Sequence, residues 1–296
     1  MASELHEVVS GIHFGEGPRW HDGRLWFSDF YAHQVCSVNE DGSDLRVEVQ
    51  FDDGGQPSGL GWMPDGSLLV VKMQAQEVWR RWPDGRFALH ADLSGHANFW
   101  ANDMVVDAHG RAYVGNFGFD LDADLDARGP EAVIADHPKT VLALVEPDGS
   151  VSDAADGLSF PNGTVITPDG KTMIIGETLA MCLTTFDIGT DGSLSNRRVW
   201  APTAPHVPDG ICLDAEGAVW IADPLSPQCV RIGEGGKVLD TVPTGDLNTF
   251  ACMLGGADGK TLFMAVAPTS HRDIVSAEKL GKIVAAKVDV PRAGRP

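Results

Sequence analysis

Short apolar runs separated by Asp/Gly turns fill most of the chain, and no stretch of a dozen residues keeps a helical 3.6-residue period. The pattern repeats. SGLGWMPDGSLLVV from Ser58, NDMVVDAHGRAYVG from Asn102, NGTVITPDGKTMII from Asn162 and DGICLDAEGAVWIA from Asp209 share one order: polar residue, apolar strand, turn glycine, second apolar strand. EGPRWHDGRLWFSD from Glu16 is a copy shorter by one residue, and a degenerate sixth copy occupies 249–266. The five clear copies start 42, 44, 60 and 47 residues apart, close to the roughly 40–50 residues of a four-stranded propeller blade. Between them lie further strands ending in NEDG, PDG and DG turns, whose residues tolerate positive φ. The pattern predicts an all-β fold, a six-bladed β-propeller forming a single domain over residues 1–296.

In a propeller the innermost strand of every blade faces the central channel, so one repeat position becomes a ring around the axis. That ring contains Glu16, Ser58, Asn102, Asn162 and Asp209. The flanking strands stay alike while these positions differ, as expected where scaffold and site are separately specified. Carboxylate and amide oxygens suit Ca²⁺, Mg²⁺ or Mn²⁺, whereas imidazole and thiolate would favour zinc. Glu16, Asn162 and Asp209 are the candidate ligands of one divalent ion in the channel, although Asn162–Gly163 and Asp209–Gly210 also read as turn caps.

The interval of 60 residues holds an insertion, 119–139, of alternating Asp and Leu followed by an Ala/Val/Ile run. It reads as a solvated excursion or as a lid over a channel mouth. As a lid it would be extended, with Phe117, Phe119 and Leu121 beneath and Asp122, Asp124 and Asp126 facing water.

Composition narrows the partners. Forty-two acidic against 22 basic side chains give a net charge of −20, which disfavours nucleic acid and anionic membranes. No basic n-region with an apolar core opens the chain, and no apolar run approaches a membrane span, so a cytoplasmic location is expected. The five cysteines are odd in number and never in C-x-x-C spacing, pointing to buried core residues and not to disulfides or a thiolate site. G-x-S-x-G, H-E-x-x-H and the phosphate-binding P-loop are absent. His206, three residues before Asp209, and His96, before the Asn102 strand, are either solvated loop residues or proton relays.

EGPRW with LWFSD, PSGLGW, the ND pair before VVDAHGRAYVG, PNGTVITPDGK and PDGICLDAEGAVWIAD stand in one order over residues 14 to 265. In this the sequence resembles the SMP-30/gluconolactonase family, also called regucalcin-like or luciferin-regenerating-enzyme-like. The resemblance implies a six-bladed propeller with one catalytic divalent ion, calcium first and zinc, magnesium or manganese in other members. It makes Glu16, Asn162 and Asp209 the ligands and gives Asn102 a contact to substrate or metal-bound water. Asp209 would serve as both ligand and general base, with Asp103 in reserve. The implied reaction is hydrolysis of a lactone.

Where sugar lactonases of the family often carry a substrate-binding arginine, two residues before the Asn-Asp pair, this chain has Trp100. With Met104, Phe117 and Phe119 added, and with Asp103 and His206 as polar neighbours, the substrate site looks less polar than one built for a sugar lactone. The small-molecule partner is then a lactone or related cyclic ester, with the oligomeric state left open. A non-enzymatic metal-binding propeller and a metal-dependent esterase or phosphotriesterase are the alternatives.

Overall fold

The computed structural model describes residues 4–296. Six four-stranded antiparallel sheets stand around one axis as the blades of a propeller. Blades 1 to 5 are simple meanders covering 15–50, 57–92, 101–158, 161–202 and 211–243. Blade 6 takes Asn248–Gly255, Thr261–Ala267 and Gly281–Lys287, and its outer strand is His6–Ile12 from the other end of the chain. The degenerate sixth copy is the inner hairpin of this blade. Its outer strand comes from the first residues of the fold, which closes the ring.

The innermost strands are Gly15–His21, Pro57–Trp62, Ala101–Val106, Pro161–Ile166, Ile211–Leu213 and Asn248–Gly255. Being enclosed by neighbouring blades, Ala101–Val106 and Pro161–Ile166 are buried along their whole length, so they read as apolar runs. Outer strands such as Leu194–Pro202 face water and are polar. Apolar side chains fill the spaces between blades; Met104, Val106, Leu69 and Val71 join blades 2 and 3.

The glycines after Asn162 and Asp209 have a packing cause. A Cβ on Gly163 would lie 2.4 Å from the Ile211 nitrogen, and one on Gly210 would lie 2.6 Å from the Ala251 Cα. Neither has a positive φ, so the glycine serves the close approach of adjacent inner strands and not a turn. We expect Gly163→Ala to destabilise the protein by about 1–3 kcal/mol through overpacking against backbone, measured by denaturant unfolding. A change below about 0.5 kcal/mol would contradict this account.

The 119–139 insertion is helical, not extended. It forms α1, Leu121–Arg128, and α2, Pro130–Ala135. Asp120 caps α1 by accepting from the Ala123 N–H at 3.1 Å, Asp122 and Asp124 sit in its positive first turn, and Arg128 sits in its last. Gly129, at φ 77°, ends α1, and Pro130 begins α2. A third helix, α3, is the four residues Arg272–Val275 of blade 6. All three are too short to register as a helical period across a dozen residues. Among the described residues no helix is long and apolar enough to cross a membrane.

Candidate functional site

Four inner strands slip register at their ring residue, between Glu16 and Arg19, Pro57 and Leu60, Ala101 and Met104, and Pro161 and Thr164, while Asp209 stands just before the short strand Ile211–Leu213. Such irregularities re-aim side chains. Four of the five ring residues, Glu16, Asn102, Asn162 and Asp209, line the floor of a cavity of about 220 Å³ at one end of the channel. The fifth, Ser58, is buried beside it and donates from Oγ to Asn102 Oδ1 at 3.3 Å. The chain of amides continues around the axis. Asn102 Nδ2 donates to Asn162 Oδ1 at 3.2 Å, Asn162 Nδ2 donates to Thr178 Oγ1 at 3.2 Å, and the Thr178 hydroxyl donates to the Pro208 carbonyl at 2.8 Å.

The two acids are electrostatically exposed to one another. Enclosure in the protein, and then the charge of Asp209, push Glu16 well above the usual carboxylate range. Enclosure also raises Asp209, a bond from Asn162 partly offsets this, and Asp103 and Asp223 add to the rise. No arginine, lysine or histidine forms an ion pair with Glu16 or Asp209 among the described residues. Two enclosed carboxylates flanked by amide oxygens have the donor chemistry of a hard divalent cation site. The set relies on an amide: among the described residues no three His, Cys, Asp or Glu side chains gather.

Above this floor the cavity is apolar. Phe14, Phe30, Met73, Phe117, Phe160 and Phe250 form the walls, with Phe14 and Phe250 ring centroids 4.9 Å apart. The degenerate sixth copy supplies Phe250 beside the ring, in place of a polar residue. Leu121 and Leu125 of α1 and Pro130 and Ile134 of α2 form the roof. Leu121 and Leu125 are four apart, one face of a helix. Asp122 also lines the cavity, half-buried, and so does not point away from it. Burial raises its carboxyl despite Arg272, while burial and the Asp122 charge push the Tyr31 hydroxyl to about 12.

The roof is latched across the channel mouth. Arg272 of α3 donates to Asp120 at 3.0 Å and lies 3.3 Å from Asp122, joining blade 6 to the insertion of blade 3 on the opposite side of the ring. Its guanidinium stands over the Trp100 ring, 5.7 Å from the centroid. Trp100 itself packs behind Phe117, at 6.2 Å between centroids, and does not line the cavity. A Trp100→Arg change would therefore set a second cation against Arg272.

Several other sequence candidates stand elsewhere. Asp103 is buried and does not line the cavity; its Oδ1 is paired with Arg19 Nη2 and accepts the Met104 N–H at 2.8 Å. Met104 is fully buried between blades 2 and 3, because the register slip after Ala101 breaks the alternation that would aim it inward. Phe119 packs under the insertion near His137, away from the cavity. His206 Nδ1 is 2.9 Å from Asp223 Oδ2, behind the cavity wall, and His96 Nδ1 is 2.6 Å from Asp153 on the outside. Val207, Pro224, Leu225, Leu179 and Tyr31 line the cavity without any signal from repeat phase, since they lie on connections between strands. The cysteines are all free; Cys36, Cys212, Cys229 and Cys252 are buried and Cys182 is half-buried.

Residues 14–268 match the family described as SMP-30/Gluconolactonase/LRE-like region. The chain belongs to this family. It is 28% identical over 276 residues to regucalcin of Sus scrofa, covering 90% of this chain and 88% of the relative. It is 26% identical over 304 residues to pentonolactonase XacC of Haloferax volcanii, covering 98% and 95%. Among solved structures, a calcium-binding protein, regucalcin, of Agrobacterium tumefaciens superposes with a TM-score of 0.78 at 19% identity, covering 100% of this chain and 96% of that one. At that identity the superposition shows the fold alone.

Proposed function

We propose that the family member described here is a divalent-metal-dependent lactonase whose substrate is less polar than a sugar lactone. The observation that carries this reading is the cavity itself: two enclosed carboxylates without a cationic partner, joined to amides, at the floor of a chamber walled by phenylalanine. The lactonase named among its relatives and the calcium named in a structural neighbour support the reaction class and the ion.

Glu16, Asn162 and Asp209 would hold the cation, and calcium suits their oxygen donors. A divalent ion bound there supplies Lewis-acid polarisation of the scissile carbonyl. The remaining work falls to the chain. Asn102, fixed by Ser58 on one side and Asn162 on the other, orients the lactone over the floor. Asp209 accepts the proton of the attacking water, whose oxygen bonds to the carbonyl carbon. The proton then passes to the ring oxygen as its C–O bond breaks, leaving a hydroxy acid. The phenylalanine walls and the helical roof exclude bulk water and hold the apolar part of the substrate.

The test is a substrate panel at fixed ring size. Alkyl- or aryl-substituted lactones are expected to show kcat/KM at least about tenfold above gluconolactone, since each buried methylene contributes roughly 0.8 kcal/mol. Equal or better turnover of gluconolactone would reject the apolar-substrate reading. Cleavage of aryl esters or phosphotriesters in preference to any lactone would reject the lactonase reading.

A further inference from the structure

The inner strands run from the ring residues to the other end of the channel, where their last residues surround a second cavity of about 260 Å³. It is lined by Trp20 and His21 of blade 1, Trp62 of blade 2, Arg19, and Arg292 and Arg295 from the final segment. That segment crosses the channel end: Arg292 bridges the backbone of Asp214 in blade 5, and Arg295 bridges Ile166 in blade 4. His21 stacks on Trp62, with centroids 3.9 Å apart and planes at 10°, which gives the cavity one flat wall.

Its charge is out of character for the chain. With 42 acidic side chains available, twelve of the fourteen arginines lie within ion-pair distance of a carboxylate. The two that do not, among the described residues, are Arg292 and Arg295, and they line the same cavity. Each makes a single long bond to a carbonyl, Arg292 to Trp20 at 3.3 Å and Arg295 to Val106 at 3.5 Å. The Asp214 carboxylate beside Arg292 is already taken by Arg231 at 2.6 Å. Arg19 is committed to Asp103, the exposed Asp22 lies 3.3 Å from His21 Nε2, and Pro296 completes the lining. Arg292 is half-buried, and enclosure holds its guanidinium below its ordinary range, with Arg295 adding to the effect. Burial likewise lowers His21, so the positive charge of the wall is that of the guanidiniums. In a protein of net charge −20, two guanidiniums left together outside ion-pair distance of any carboxylate form a place for an incoming anion.

We propose that this cavity binds a small anion with at least two anionic oxygens, a phosphate ester or a dicarboxylate, bridged between Arg292 and Arg295 against the His21–Trp62 wall. The site is separate from the lactonase floor and does not depend on that reading. Binding ties the final segment to the His21–Trp62 wall of blades 1 and 2, so it stabilises the propeller by mass action.

The probes are inorganic phosphate and succinate, each titrated into the whole protein at ionic strength held constant with sodium chloride, with the melting temperature as readout. A saturable rise of about 3 °C or more over millimolar additions is expected for at least one of them. Which probe acts separates the phosphate source from the carboxylate source. In Arg292→Gln/Arg295→Gln the rise should vanish while turnover at the opposite end is retained. Should that variant fail to fold, Arg292→Lys/Arg295→Lys keeps the charge but loses the guanidinium forks, and the affinity should fall about tenfold. No rise beyond the chloride control, or a rise that either folded variant keeps undiminished, overturns the proposal.

Discussion

Asp209→Asn is expected to lower turnover by about 10³-fold or more and, in the same protein, to raise the melting temperature of the metal-free form. The two effects have one cause. Asp209 and Glu16 are enclosed together without a cationic partner, and both are pushed above the usual carboxylate range, chiefly by burial. The folded state therefore binds more protons than the unfolded chain, so metal-free stability is greatest in acid and falls as pH rises from the ordinary carboxylate range toward the raised values. The amide keeps the shape and the acceptor that Asn162 addresses, and it removes one of the two repelling charges. A gain of about 1–3 kcal/mol, or several degrees, is expected at neutral pH. Stoichiometric divalent-cation binding, followed by calorimetry, should be lost together with activity. Cation affinity of the unaltered protein should rise with pH over the same interval, because protons and metal compete for the same oxygens. A metal-replete and fully active Asp209→Asn protein would end the assignment of this residue, and an unchanged metal-free melting temperature would show that the two charges do not repel in the fold.

Replacing 120–136 by a short Gly/Ser turn is expected to raise KM for long-chain or aryl lactones by about 30-fold. Leu121, Leu125, Pro130 and Ile134 roof the cavity. Partial burial of these four side chains against a ligand amounts to about 2 kcal/mol in total. Small unsubstituted lactones should keep their KM within about twofold, since they sit at the floor. Metal stoichiometry should not change, because Glu16, Asn162 and Asp209 are set by blades 1, 4 and 5. Arg272→Gln supplies a graded control: the latch to Asp120 and Asp122 is partly exposed, each such pair contributes about 1 kcal/mol or less, and a change of a few-fold follows. Identical kinetics across small and large lactones after the replacement would make the helical pair a surface ornament of blade 3.

How far the sequence alone carried can be read from particular residues. Repeat phase put Glu16, Asn102, Asn162 and Asp209 around one axis, and they line one cavity. It also placed the inner strand of every blade, including the degenerate one at Asn248–Gly255. These features were legible because a blade is a local unit whose turns and apolar runs recur, so spacing along the chain translates directly into rotation about the axis. Local pattern failed where the outcome depended on a neighbour. Asp103 followed the ring position but was captured by Arg19 from another blade, and Met104 was turned into a blade interface by a register slip. The Asp/Leu alternation of the insertion matched a strand and a short helix equally well. The cap at Asp120, the glycine–proline break and the apolar cavity beneath decided for α1 and α2. The phenylalanine walls, the Arg272 latch over Trp100 and the paired guanidiniums of Arg292 and Arg295 each bring together residues from blades far apart in sequence. No period in the chain encodes such meetings, because they exist only once the ring is closed by His6–Ile12 and every blade has taken its neighbours.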